Sequence, residues 1–204
     1  QAYPVIMNGS DLIAQSPTGT GKTLAYLFPL LASIDVKSLH LQTVILASSR
    51  ELVMQIHQEI IKWTNGSEIR SASFIGGANL KRQLEKLKKK PHIIVGTPGK
   101  VEELLQAKKL KMHEVRTIVL DEGDTLIVAE HLQTIEGIIK STKKERQLLL
   151  FSATVTPSIM NTVSDMMRNP VCISIKKDER FSGQVDHIYF VCEKREKMNI
   201  LEKI

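Results

Sequence analysis

The sequence predicts an α/β protein built on a mostly parallel sheet with helices on both faces. Short apolar runs recur along the chain, and most are continuous rather than alternating. Strands read this way when both of their faces are buried. Between them lie longer amphipathic segments with apolar residues three and four apart, the spacing of a helix face. The chain has 204 residues, enough for one domain of ~150 residues and a fraction of another. Hydrophobic residues make up 42% and charged residues 25%, which excludes a disordered chain, a coiled coil and a collagen-like repeat.

The expected strands are Asp11–Gln15, Thr43–Ala47, Ile69–Phe74, His92–Gly96, Thr117–Asp121, Gln147–Ser152 and Val171–Ile175. Leu24–Ile34 forms a helix after the first. Glu51–Trp63 is a second, with Leu52, Ile56, Ile60 and Trp63 on one face. Leu80, Leu84 and Leu87 mark a third, Val101, Leu104 and Leu105 a short fourth, and Ile135, Ile138 and Ile139 a fifth. Thr156-Pro157 reads as an N-cap followed by Pro at the first helical position, opening a helix that ends near Arg168. The polar stretch Lys176–Gly183 (KKDERFSG) reads as a linker. Beyond it, a strand at His187–Cys192 and a helix at Glu193–Ile204 begin a second, truncated domain over residues 184–204.

Lys and Arg number 28 against 22 Asp and Glu, a net charge of +6, which fits a polyanionic partner. Cys172 and Cys192 are too few for a disulfide framework. Each sits in an apolar run and reads as a small buried hydrophobe in a reducing compartment, the cytoplasm. No apolar stretch approaches the ~18 residues of a membrane span, and the N-terminus lacks the pattern of a signal peptide. The chain begins without Met and reads as part of something longer.

Ser16-Pro17-Thr18-Gly19-Thr20-Gly21-Lys22-Thr23 follows an expected strand and opens an expected helix. It matches the phosphate-loop pattern G-x-x-x-x-G-K-[ST] except that Ser16 replaces the first Gly. Gly19 and Gly21 let backbone N–H groups curl toward phosphate oxygens, and the helix N-terminus adds a positive dipole end. Lys22 meets the β- and γ-phosphates of a nucleotide, and the Thr23 hydroxyl is a ligand for Mg²⁺. The apolar run Thr117–Leu120 ends in Asp121-Glu122-Gly123-Asp124. At the carboxyl end of a strand, Asp121 can hold Mg²⁺, and Glu122 is placed to orient or deprotonate an attacking water.

With these motifs the sequence resembles a DEAD-box ATP-dependent RNA helicase of superfamily 2, specifically its first RecA-like domain, over residues 1–175. Ser16–Thr23 stands for the family's phosphate loop. Ser49-Arg50-Glu51-Leu52 resembles Pro-Thr-Arg-Glu-Leu-Ala, with Ser48, Ser49 and Val53 replacing Pro, Thr and the final Ala. Gly76-Gly77 matches a GG turn, and Thr97-Pro98-Gly99-Lys100 is similar to Thr-Pro-Gly-Arg. Asp121–Asp124 reads Asp-Glu-Gly-Asp for Asp-Glu-Ala-Asp, and Ser152-Ala153-Thr154 is the SAT element. Six motifs in family order are specific together, where a lone GG or SAT is not.

The resemblance implies a RecA-like P-loop NTPase fold that binds ATP and Mg²⁺ through Ser16, Thr18–Thr23 and Asp121. Lys22, Asp121 and Glu122 serve catalysis, and Asp124, Ser152 and Thr154 couple the nucleotide site to RNA. RNA contacts fall to Arg50, Gly76, Gly77, Thr97, Pro98, Gly99 and Lys100, with Thr97 capping the helix that follows. They read the sugar-phosphate backbone, so sequence preference is weak. The implied protein is a monomer acting through two RecA-like domains of one chain. Alternatives of other kinds are a superfamily 2 DNA helicase or translocase, and a non-catalytic RNA clamp. Gly123 keeps the latter open because it adds backbone freedom beside the catalytic acid. Aligning Gln1–Gly9 on the family places its adenine-reading Gln two residues before Gln1. Lys81–Lys90 carries six Lys or Arg and reads as a solvated helix face, and Met166-Met167 as core.

Overall fold

The computed structural model describes residues 1–175, 191–197 and 200. Its strands are β1 (Leu12–Gln15), β2 (Thr43–Ala47), β3 (Ser71–Phe74), β4 (Ile93–Gly96), β5 (Thr117–Asp121), β6 (Gln147–Ser152) and β7 (Val171–Ser174). They form one sheet in the order β3-β4-β2-β5-β6-β1-β7, and every pairing is parallel. The helices are α1 (Ala2–Met7), α2 (Lys22–Ser33), α3 (Arg50–Trp63), α4 (Leu80–Lys88), α5 (Pro98–Gln106), α6 (Gly123–Leu126), α7 (Ala129–Lys140) and α8 (Pro157–Ser164). The expected α/β class and parallel sheet are therefore present.

Alternation along each strand divides the core in two. On β2, Val44 and Leu46 pack with Val101 and Leu104 of α5, Ile135 and Ile138 of α7, and Val163 of α8. Ile45 and Ala47 face the other way, into a cluster with Ile6 of α1, Tyr26 and Leu27 of α2, and Ile56 and Ile60 of α3. Both faces are covered, which is why β2, β5 and β6 are buried at every residue. Each such Leu or Ile contributes ~1.5–3 kcal/mol. Ser49 caps α3 by accepting from the N–H of Leu52 at 3.1 Å, and Met167 is buried as expected.

Several expectations are corrected. The helix opened by Thr156 does cap as read, its hydroxyl accepting from the Ile159 N–H, but it stops at Ser164 rather than near Arg168. The N–H of Arg168 is bound to the buried Asp11 carboxylate at 2.7 Å. Asn169 takes a left-handed φ of 44°, and Pro170 then steers the chain out of helical backbone into β7. Thr97 occupies the cap position of α5, yet its side chain makes no cap bond; Pro98 at the first turn has already removed one orphan N–H. Cys172 is exposed, because β7 is the edge of the sheet and its residues are exposed or half-buried; Cys192 is half-buried. The helices α1 and α6 were not expected; at 6 and 4 residues neither repeats an apolar spacing.

The linker expected at Lys176–Gly183 and most of the βα unit after it lie outside the described residues. Within that unit Lys194–Glu196 forms a single 3₁₀ turn, and Val191 and Cys192 are not in a strand. Among the described residues no helix is long and apolar enough to cross a membrane.

Candidate active site

The loops that follow β1, β6 and β5 meet at the carboxyl end of the sheet, because those three strands are consecutive in it. The register is tight: Gln15 sits opposite Ser152, and Asp121 opposite Phe151. The Ser16 N–H continues the ladder by donating to Ser152 O at 3.0 Å. Ser16 is buried, whereas Thr18, Gly19, Thr20 and Gly21 are exposed. Gly19 and Gly21 have φ of 79° and 84°, left-handed backbone that a side chain would strain. The loop folds on itself through a short Ser16–Thr20 hydroxyl contact and a bond from Thr20 Oγ1 to Pro17 O of 2.8 Å. Lys22 Nζ donates to Ser16 O at 2.7 Å, which holds the ammonium across the mouth of the loop. An exposed loop with two left-handed glycines, a helix N-terminus and one cation form a cradle that fits a chain of phosphates.

Asp121 is 3% exposed. Its carboxylate accepts from Tyr26 Oη at 2.8 Å and from the Glu122 N–H at 2.9 Å. Burial raises its carboxyl above the ordinary range, against the pull of those donors and of the Lys22 charge. Burial also pushes the Tyr26 hydroxyl well up, with the Asp121 charge acting the same way, so it stays a donor. A buried carboxylate facing a phosphate cradle, with Thr23 one helical turn before Tyr26, is a donor set of hard oxygens that suits Mg²⁺.

Glu122 takes φ 56° and ψ 55°, an unusual conformation for a residue with a long side chain. Its Oε2 accepts from Ser48 Oγ at 2.9 Å, which fixes the carboxylate over the end of β2. Asp124 is bound on three counts. Its N–H donates to Ser152 Oγ at 3.0 Å, and its Oδ2 accepts from Thr154 N–H at 3.2 Å and from Thr154 Oγ1 at 3.0 Å. Ser152 Oγ in turn donates to Thr154 O at 2.6 Å. The acid cluster and the SAT segment thus form one hydrogen-bonded unit.

The residues read as RNA contacts fall at the same end of the sheet, beyond β3 and β4. The Arg50 guanidinium lies against the Gly76-Gly77 turn, and a Cβ added at Gly77 would meet its Nη1 at 3.1 Å. The Thr97 N–H donates to Phe74 O at 3.2 Å, tying the Thr97-Pro98-Gly99 corner to the strand before that turn. Lys100 is placed otherwise than a free cation: it is 7% exposed, and its Nζ is paired with Glu103 at 2.7 Å. Ser48 and Tyr26 were missed. Ser48 carried a signal, since it stands where the resembled family has a Pro, which offers no donor. Tyr26 carried none, for its partner is 95 positions away.

The DEAD/DEAH box helicase family pattern matches residues 1–162. The chain belongs to the DEAD/DEAH box helicase family. It is 54% identical to "Probable ATP-dependent RNA helicase YfmL" of Bacillus subtilis, over all of this chain and 54% of that protein. It is 50% identical to the DEAD-box ATP-dependent RNA helicase CshC of Bacillus cereus, over all of this chain and 52% of the relative. A crystal structure of a DEAD box protein from the hyperthermophile Methanococcus jannaschii superposes with a TM-score of 0.81 at 27% identity, covering 99% of this chain and 54% of that one. The fold is the RecA-like P-loop NTPase fold of DEAD-box proteins. The chain spans about half the length of the curated relatives it matches.

In this DEAD-box domain the Gly of Asp-Glu-Gly-Asp is closely packed. Gly123 is buried, and a Cβ there would stand 2.3 Å from Leu150 Cδ1 and 2.9 Å from Leu150 Cγ. Leu150 fills the space of the missing methyl, so the freedom expected of Gly123 is restrained by its neighbour on β6. Gly123→Ala is expected to cost ~1–3 kcal/mol through overpacking, and Leu150→Val in the same chain to recover part of it. Urea unfolding of the two single variants and the double one measures this; strictly additive losses would contradict it.

Lys22→Ala is expected to abolish saturable binding of a fluorescent ATP analogue, since no other cation lies in the loop. Titration of both proteins checks it, and equal affinities would contradict the phosphate-loop assignment.

Proposed function

We propose that this chain is the ATP-binding core domain of an ATP-dependent RNA helicase. Its ATP site would be Ser16 and Thr18–Thr23, with Mg²⁺ held by Thr23 and Asp121. The cation, when bound, neutralises charge on the phosphates and sets their geometry. Lys22 would leave Ser16 O for the β- and γ-phosphates. Glu122, held by Ser48 in a half-buried turn at the strand end, would orient or deprotonate the attacking water. The observation that carries the reading is the unit formed by Asp124, Ser152 and Thr154. It joins the residue two positions after Glu122 to the segment leaving β6, so a change at the nucleotide is felt outside the nucleotide site.

RNA would lie along Arg50, Gly76-Gly77 and Thr97–Gly99, where backbone N–H groups and one exposed guanidinium meet phosphates without reading bases. Lys100 joins that surface only if its pairing with Glu103 opens. We place a second RecA-like domain of the same chain beyond residue 183, closing on ATP and RNA together, in a cytoplasmic monomer. Closure bends a bound strand and separates a short duplex; hydrolysis reopens the domains.

The test is ATP turnover by a full-length protein carrying this domain, with single-stranded RNA or DNA of the same sequence added. RNA is expected to stimulate strongly and DNA little. Equal stimulation would favour a DNA translocase, and none by either would favour a clamp without turnover.

A further inference from the structure

We propose that the opposite end of the sheet carries a second RNA site, a basic groove that holds a phosphodiester strand independently of the nucleotide-coupled surface. The inference rests on RNA being this domain's partner. The groove, about 430 Å³, lies between the segments that enter β2, β4 and β5, and is lined by Leu39, His40, Lys90, Lys109, Lys111 and His113. All strands run parallel, so these segments sit at the amino ends of the strands while the phosphate loop, Gly76-Gly77 and Thr97–Gly99 sit at the carboxyl ends. A strand of five residues at ~3.3 Å per residue separates the two by about 16 Å.

Three features make this groove suited to a polyanion with flat, partly apolar units. Lys90, Lys109 and Lys111 are exposed, and no ion pair among the described residues takes any of them. The one carboxylate on the rim, Glu114, is already paired with Lys143 at 3.1 Å, and that hydrogen bond holds its carboxyl below the ordinary range. The same groove is lined by Leu39, 57% exposed, and by the rings of His40 and His113, edge to face with centroids 5.8 Å apart. These offer surfaces on which a base or ribose can rest.

The backbone points the same way. The chain leaves α4 through Lys90 at φ 51° and leaves α5 through Lys108 at φ 56°. Both are left-handed positions just past a helix, where glycine fits without steric cost. Two lysines at such positions, beside one groove, are not required by the turns they form. An acidic protein would also be drawn to these cations. An exposed leucine and paired imidazoles in the same groove as the lysines favour a nucleic acid strand, which carries flat bases beside its phosphates.

The experiment uses residues 1–204 and a labelled single-stranded RNA, with anisotropy titrations at a series of salt concentrations. Wild type is compared with Lys109→Glu/Lys111→Glu, with the milder Lys109→Gln/Lys111→Gln, and with Arg50→Ala as a variant of the other surface. The reversal is expected to weaken RNA on the order of tenfold and to lower the salt slope by about 0.7 for each lysine. The Gln pair is expected to fall between, and the ATP analogue to bind both lysine variants as it binds wild type. Arg50→Ala is expected to leave a residual RNA affinity that the lysine changes remove. If wild type binds RNA and the lysine variants bind it equally well with the same slope, the groove proposal is overturned and the RNA reading stands. If wild type binds no RNA, the groove proposal is overturned, while the RNA reading is decided by the turnover of the full-length protein with RNA or DNA added. Displacement of RNA by polyglutamate as readily as by unlabelled RNA would overturn the assignment of the groove to RNA.

Discussion

Glu122→Gln, placed in a full-length protein that carries this domain, is expected to lose ~100-fold or more in ATP turnover if the carboxylate acts as general base, while ATP and RNA affinities stay close to wild type. The change keeps the size of the side chain and its position beside Ser48, and removes the charge that takes the proton. The amide oxygen can still accept from Ser48 Oγ, now 2.9 Å from Glu122 Oε2, so the left-handed turn has no reason to collapse. Steady-state turnover with saturating RNA, set beside equilibrium binding of an ATP analogue, separates the two effects. Near-normal turnover would mean that the proton goes elsewhere. A parallel loss of binding would mean that Glu122 is part of the cradle.

Much of this was legible in the sequence because burial on two faces leaves a distinctive trace. Val44–Ala47 and Leu148–Phe151 are continuous apolar runs since alternate residues feed separate cores, and strands of that kind are parallel strands between helices. The phosphate loop was legible for a different reason. Its glycines, lysine and threonine are consecutive, so the chemistry is local. Strand order was not legible, for nothing local says that β6 enters between β5 and β1, and that insertion is what brings Ser152 to Asp124.

The misses are contacts between distant or unremarkable residues. Tyr26 reads as one more apolar residue of α2, and it is packed as one, 5.1 Å from Phe151 between ring centroids; only its hydroxyl reveals the bond to Asp121. Asp11 reads as the start of a strand, yet its side chain fixes the N–H groups of Leu148 and Arg168 and so locks β6 and the end of the α8 segment to β1. Cys172 was read from its apolar neighbours, which cannot tell an edge strand from a central one. Lys100 is the instructive case. Its motif position suggested a ligand, but Glu103 three residues on is its helical neighbour, and in this structure the pair is closed.

The central claim is that this domain supplies half of a site completed by a second RecA-like domain. It is tested most directly by measuring ATP turnover and duplex unwinding with residues 1–204 alone, then with a separately produced second domain added. In related phosphoryl-transfer sites an arginine supplied from outside is worth ~10³–10⁵ in rate. Turnover by residues 1–204 is therefore expected near background and unchanged by RNA, with activity appearing only when the second domain is present. RNA-stimulated unwinding by residues 1–204 on their own would contradict the account.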